Sequence, residues 1–141
     1  MNTSGQEKAS DMPQCLVVMY HYVIDKEHQF PGLKGISFDE FKTQVESMRN
    51  RFVFIPLRQY GEYCRGRGDI PPNACVLTFD DGFKEHARVV GPYLSAQKIP
   101  ASFFIITRTL ENREVLPIHR VHLLMAMLGE EKFFSEMGRS L

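Results

Sequence analysis

The 141-residue sequence lacks an excess of either charge: 17 Lys and Arg balance 17 Asp and Glu, and neither sign gathers into a block or stripe. Electrostatic recruitment of nucleic acid or of an anionic membrane surface is therefore not expected. Long hydrophobic runs are missing too, so no segment offers the ~18 apolar residues of a membrane-spanning helix. Residues 1–14 are polar and lack the apolar stretch of a leader peptide, which predicts a flexible N-terminal segment rather than a signal or an anchor. Cysteine is scarce: Cys15, Cys64 and Cys75 form no Cys-x-x-Cys pair, and their odd number leaves at least one thiol outside any intrachain disulfide set. Cys15 and Cys75 fall in apolar, strand-like runs, where a buried free thiol is the expectation. Together these gaps predict a reducing, cytoplasmic setting. There are no internal repeats and no low-complexity tracts, so the chain is at most one domain, long enough to bury a core.

What the chain does contain is organised around Ala74 to Ile106. An apolar run of strand length, Ala74 to Phe79, stops at Asp80, Asp81 and Gly82. Side chains alternate along a strand, so two consecutive aspartates at its end are expected to point in different directions and to take different tasks. Gly82 permits a sharp turn, Phe83 to Gln97 reads as a returning helix kinked near Gly91 by Pro92, and Ala101 to Thr107 reads as the next buried strand. In parallel α/β folds, chemistry is placed on the loop after the carboxyl end of a strand, which is where this acidic pair falls. Asp-Asp-Gly is also an ordinary turn, and taken as three isolated residues that is the better reading.

The flanking segments are consistent with an α/β pattern. Cys15 to Tyr20 is a compact strand with His21 just past it, and Asp25 to Gly35, including His28, reads as a loop. Ser37 and Glu40 form a capping box for a helix whose Phe38, Phe41, Val45 and Met48 share one core-facing stripe. Phe52 to Ile55 reads as a short strand and Leu57 to Cys64 as a short helix; Arg67-Gly68-Asp69 is expected to be a solvated turn. Beyond Thr107 the chain is polar through Arg113. Pro117 then opens a helix that Gly129 closes, and a second helix follows over about Glu130 to Met137.

The string Thr78-Phe79-Asp80-Asp81-Gly82-Phe83-Lys84, followed by Ile99-Pro100-Ala101-Ser102-Phe103-Phe104-Ile105, closely resembles the first signature of the polysaccharide deacetylase family, the NodB-homology carbohydrate esterases. Met19-Tyr20-His21-Tyr22-Val23 is similar to the Tyr-His that ends the first strand in one branch of that family. The resemblance covers about residues 15 to 107 and implies an α/β fold, the N-terminal portion of a distorted (β/α) barrel, since a whole barrel usually needs ~250 residues. Residues 15–141 would then be a partial deacetylase-like domain, with 115–141 a helical insertion at its C-terminal end. The resemblance further implies metal-dependent removal of N-acetyl groups from a carbohydrate. Asp81 would ligate a divalent metal, zinc above all, together with two histidines, and Asp80 would be the general base. His21 would line the substrate site or make a structural hydrogen bond.

The family's His-Ser/Thr-x-x-His signature, which supplies the two histidine ligands, does not occur in this sequence. Either His119 and His122 substitute as ligands, or the helical pair is an insertion and the ligands lie beyond Leu141. The i, i+3 spacing on a Leu- and Met-rich helix favours the second. No residue matches the family's late histidine acid. Many family members are exported, so the missing leader directs the expectation to a branch acting on intracellular sugar precursors or to a missing upstream segment. An incomplete barrel edge and the apolar helix 118–128 predict self-association, and the alternative to an enzyme is a noncatalytic fragment or a partner- or sugar-binding module.

Overall fold

A computed structural model describes residues 14–24, 30 and 32–138. The expected N-terminal segment, apart from Gln14 in the first strand, and most of the Asp25 to Gly35 loop, with His28, lie outside the described residues. In chain order the elements are β1 (Gln14–Tyr20), β2 (Val23–Ile24), β3 (Ile36–Ser37), α1 (Phe38–Arg49), β4 (Val53–Phe54), α2 (Leu57–Cys64) and β5 (Asn73–Phe79). A π-helical turn (His86–Val90) then runs into α3 (Gly91–Ala96), followed by β6 (Ala101–Phe103), α4 (Thr107–Asn112), α5 (Pro117–Leu128) and α6 (Glu130–Gly138).

β5 is the centre of a parallel sheet. β1 pairs along its whole length, from Gln14 opposite Asn73 to Tyr20 opposite Phe79. The other edge is divided, with β4 on Ala74 and Cys75 and β6 on Leu77 to Phe79. The Cys75 and Phe79 carbonyls accept from Ile55 N–H (2.9 Å) and Phe104 N–H (2.7 Å), the same-side alternation expected of one strand edge. Both faces of β5 are covered, which explains a continuous apolar run in place of alternation. Cys75, Leu77 and Phe79 face a core with Tyr20, Phe41, Val45, Val90 and Leu94, while Ala74 and Val76 face Ile55 and Ile70 under α2. α1 presents Phe41 and Val45, both 0% exposed, and its capping box is complete, with Glu40 N–H donating to Ser37 Oγ (3.1 Å) and Ser37 N–H to Glu40 Oε2 (2.7 Å).

One expectation needs correction. The strand read over Ala101 to Thr107 is only three residues long, and Phe103, Phe104 and Ile105 are 39–53% exposed rather than buried. β6 starts at Ala101 as expected, but its partner β5 ends at Phe79, opposite Phe103, so past the Phe104 N–H the chain has no ladder to continue, and nothing among the described residues covers the far side of β6. The polar stretch after Thr107 holds α4, which ends at Arg113 in the left-handed region. The kink expected from Pro92 takes the form of the π-helical turn: proline has no N–H to donate, and the Gly91 N–H reaches back five residues to the His86 carbonyl. Among the described residues no helix is long and apolar enough to cross a membrane.

Candidate active site

The site begins where β1 and β5 end together, with Asp80 N–H donating to the Tyr20 carbonyl (3.0 Å). Strand alternation alone would send Asp80 and Asp81 to opposite faces. Instead Asp81 takes φ 73°, in the left-handed region that aspartate tolerates better than most residues, and the chain has left the strand. Both carboxylates consequently bring Oδ2 to 3.9 Å from His21 Nε2. Gly82 follows at φ 67°, and a Cβ there would meet Ile105 Cγ2 at 3.0 Å, so glycine serves both the turn and the close packing of the segment after β6.

α5 supplies the next contact. His119 Nε2–H donates to Asp81 Oδ2 at 3.1 Å, and its ring lies 4.9 Å from Phe83 and 5.9 Å from Tyr22. His122, one helical turn on and on the same face, shares a 3.1 Å hydrogen bond through Nδ1 with the Tyr22 hydroxyl. Burial, with the Asp81 charge adding to it, raises the Tyr22 phenol above its ordinary pKa, so it stays neutral. The two histidines therefore seat α5 on different partners rather than presenting two imidazoles to one point. Gly32 packs against the Ala126 carbonyl with no room for a Cβ, and Lys34 pairs with Glu130 at the start of α6.

A carboxylate with two imidazoles nearby is the right donor chemistry for zinc. Among the described residues, however, no three His, Cys, Asp or Glu side chains form a group that could hold a metal ion, and the Asp81 oxygen is engaged by His119. As arranged, these residues do not fit a resident metal. What the cluster can do by itself is acid–base work: Asp80, with its side chain 29% exposed, is the more accessible carboxylate, and Asp81, at 17%, is the anchored one.

Sequence reasoning passed over three participants. Tyr22 is the ring against which Phe83 (4.4 Å), His119 and His122 pack. Phe83 forms one wall of the site. His86 lies 4% exposed behind it, with Nε2 2.7 Å from the His21 carbonyl. A histidine four residues past Gly82, on the buried side of the helix, was the available signal.

The family model for polysaccharide deacetylase matches residues 67–131. Among solved structures, the chain is 28% identical to a de-N-acetylase from Aggregatibacter actinomycetemcomitans, with a TM-score of 0.61, covering 73% of this chain and 42% of that one. It is 30% identical to IcaB from Ammonifex degensii, with a TM-score of 0.58, covering 67% of this chain and 39% of that one. No curated protein matches the sequence significantly. The chain thus spans about two fifths of the length of these two solved structures. Sequence match and fold agree: residues 67–131 match the polysaccharide deacetylase family, and the parallel α/β fold is similar to the N-terminal portion of that type of barrel.

Proposed function

We propose that this segment carries the base-bearing part of a site that hydrolyses the N-acetyl amide of a carbohydrate. The observation that supports it is the convergence of Asp80 and Asp81 on His21 at the carboxyl end of β5, the placement that parallel α/β enzymes use for chemistry. In this reading Asp80 takes the proton from the attacking water, and His21, 3.9 Å away and 43% exposed in its side chain, faces the same space from the end of β1. Asp81 is the residue that the family resemblance assigns to a divalent metal, zinc above all, and its present partner is His119. Residues 115–141 are read as an insertion, of which α5 reaches this site through His119 and His122. The unpaired cysteines Cys15, Cys64 and Cys75 support a reducing, cytoplasmic setting, and burial pushes the Cys75 thiol up to about 11, leaving it inert.

The test is release of free amine from N-acetylglucosamine oligomers. The 141-residue chain alone is expected to release little or none even with added zinc, because Asp81 lacks a closed set of co-ligands. A chimera in which the unmatched part of the Aggregatibacter de-N-acetylase completes the barrel is expected to turn over. A folded chimera without activity would sink the proposal. Chelator-sensitive, zinc-restored turnover by the chain alone would instead make His119 a ligand.

A noncatalytic, partner-binding reading is favoured by the exposed apolar side chains on β1 (Leu16, Val17, Met19) and on α5 (Ile118, Leu124, Met127). Both readings expect the isolated chain to self-associate through this edge and helix, since β1 has no neighbour on its outer side among the described residues. Light scattering across a concentration series checks this; a monomer with cooperative unfolding at all concentrations is the contrary result.

A further inference from the structure

We propose that His86 is a positioning residue, whose Nε2–H holds the carbonyl of His21 and so fixes the imidazole that faces the two carboxylates. The inference rests on reading Asp80, Asp81 and His21 as one site. His21 and Tyr22 form a two-residue link between β1 and β2 and belong to no strand, so the ladder that fixes Tyr20 does not fix them. The His86 bond, at 2.7 Å, acts directly on that link. A carbonyl oxygen can only accept, so Nε2 carries the proton and Nδ1 is the bare nitrogen. Nδ1 is buried without a hydrogen-bond partner among the described residues, the ring being enclosed by Phe79 (5.3 Å), Phe83 (5.6 Å) and Phe103 (5.9 Å). Keeping a half-satisfied imidazole in an aromatic cage costs stability, and among the described residues the bond to His21 is the one hydrogen bond its ring makes. Burial also lowers its pKa below the ordinary histidine value, which keeps the ring neutral and its tautomer fixed. The ring sits on the first residue of the π-helical turn, a local widening that is often found where a helix carries a functional side chain.

The test uses the full chain and three variants. In the wild type, long-range proton–nitrogen spectra should show His86 as the Nε2–H tautomer. His86→Leu, which fills the cage without a donor, should displace the His21 ring cross-peak at fixed pH. It should also speed exchange of the Ile36 amide, which donates to the Tyr22 carbonyl at 3.2 Å, by about five- to tenfold, the loss of roughly one hydrogen bond. His86→Gln, whose amide nitrogen can stand where Nε2 stood, should restore both. A folded His86→Leu protein with an unmoved His21 cross-peak, a folded His86→Gln protein that rescues neither signal, or an Nδ1–H tautomer in the wild type would each overturn the assignment. Should His86→Leu not fold, the tautomer and the His86→Gln comparison with wild type still decide it. Asp80→Asn separates the two levels: if it leaves the His21 ring signal in place, the three-residue site itself is wrong, whereas a response to Asp80→Asn but none to His86→Leu removes only the role of His86.

Discussion

Phe41→Ala is expected to cost about 3–5 kcal/mol of folding stability, the usual range for emptying a buried aromatic site. Phe41 is 0% exposed and meets Tyr20 edge-on at 5.1 Å, Phe79 at 5.8 Å and Tyr93 at 6.0 Å. The surrounding rings cannot collapse into the void without moving the ends of β1 and β5, because Tyr20 and Phe79 are the last paired residues of those strands. Those ends carry His21 and Asp80. The same cavity should therefore loosen the site, and the His21 and Asp80 signals should broaden along with the fall in stability. Denaturant unfolding followed by circular dichroism measures the first effect, with Phe41→Leu as the control that keeps most of the volume. A loss below about 1 kcal/mol for Phe41→Ala would mean that α1 is not packed on β5 as described.

Much of the fold was legible because local and tertiary signals agreed. Ser37 and Glu40 fixed the start of α1, and the stripe of Phe41 and Val45 fixed its buried face. β5 was readable as a doubly covered strand from its unbroken apolar run. β6 was not, since how far Ala101 to Ile106 extends as a strand depends on where its partner β5 ends, at Phe79 opposite Phe103, a long-range register that no local window records. Pro92 announced an irregular helix, yet the choice of a π-helical closure depends on where the Gly91 N–H finds an oxygen.

The site divides the same way. The position of Asp80 and Asp81 at a strand end was plain from the sequence, but a period of two predicts divergence. Convergence on His21 follows from the left-handed backbone at Asp81, which period-two patterning cannot report. His119 and His122 are equivalent by spacing and take different partners only because Tyr22 and Asp81 lie at different heights along α5. His86 passed unnoticed since its partner is a backbone carbonyl 65 residues earlier in the chain.

The division of labour between the two carboxylates is measured most directly by amine release in the completed barrel, with each aspartate replaced in turn. Asp80→Asn keeps the shape of the loop and removes the base. The expected loss is about 10²- to 10⁴-fold in turnover, with metal content unchanged and no recovery in excess zinc. Asp81→Asn is expected to act through occupancy, lowering bound zinc and recovering in part when zinc is supplied in excess. If both variants retain their activity and their metal, Asp80-Asp81-Gly82 is a turn and nothing more, and the site described at the end of β5 is not where the chemistry occurs.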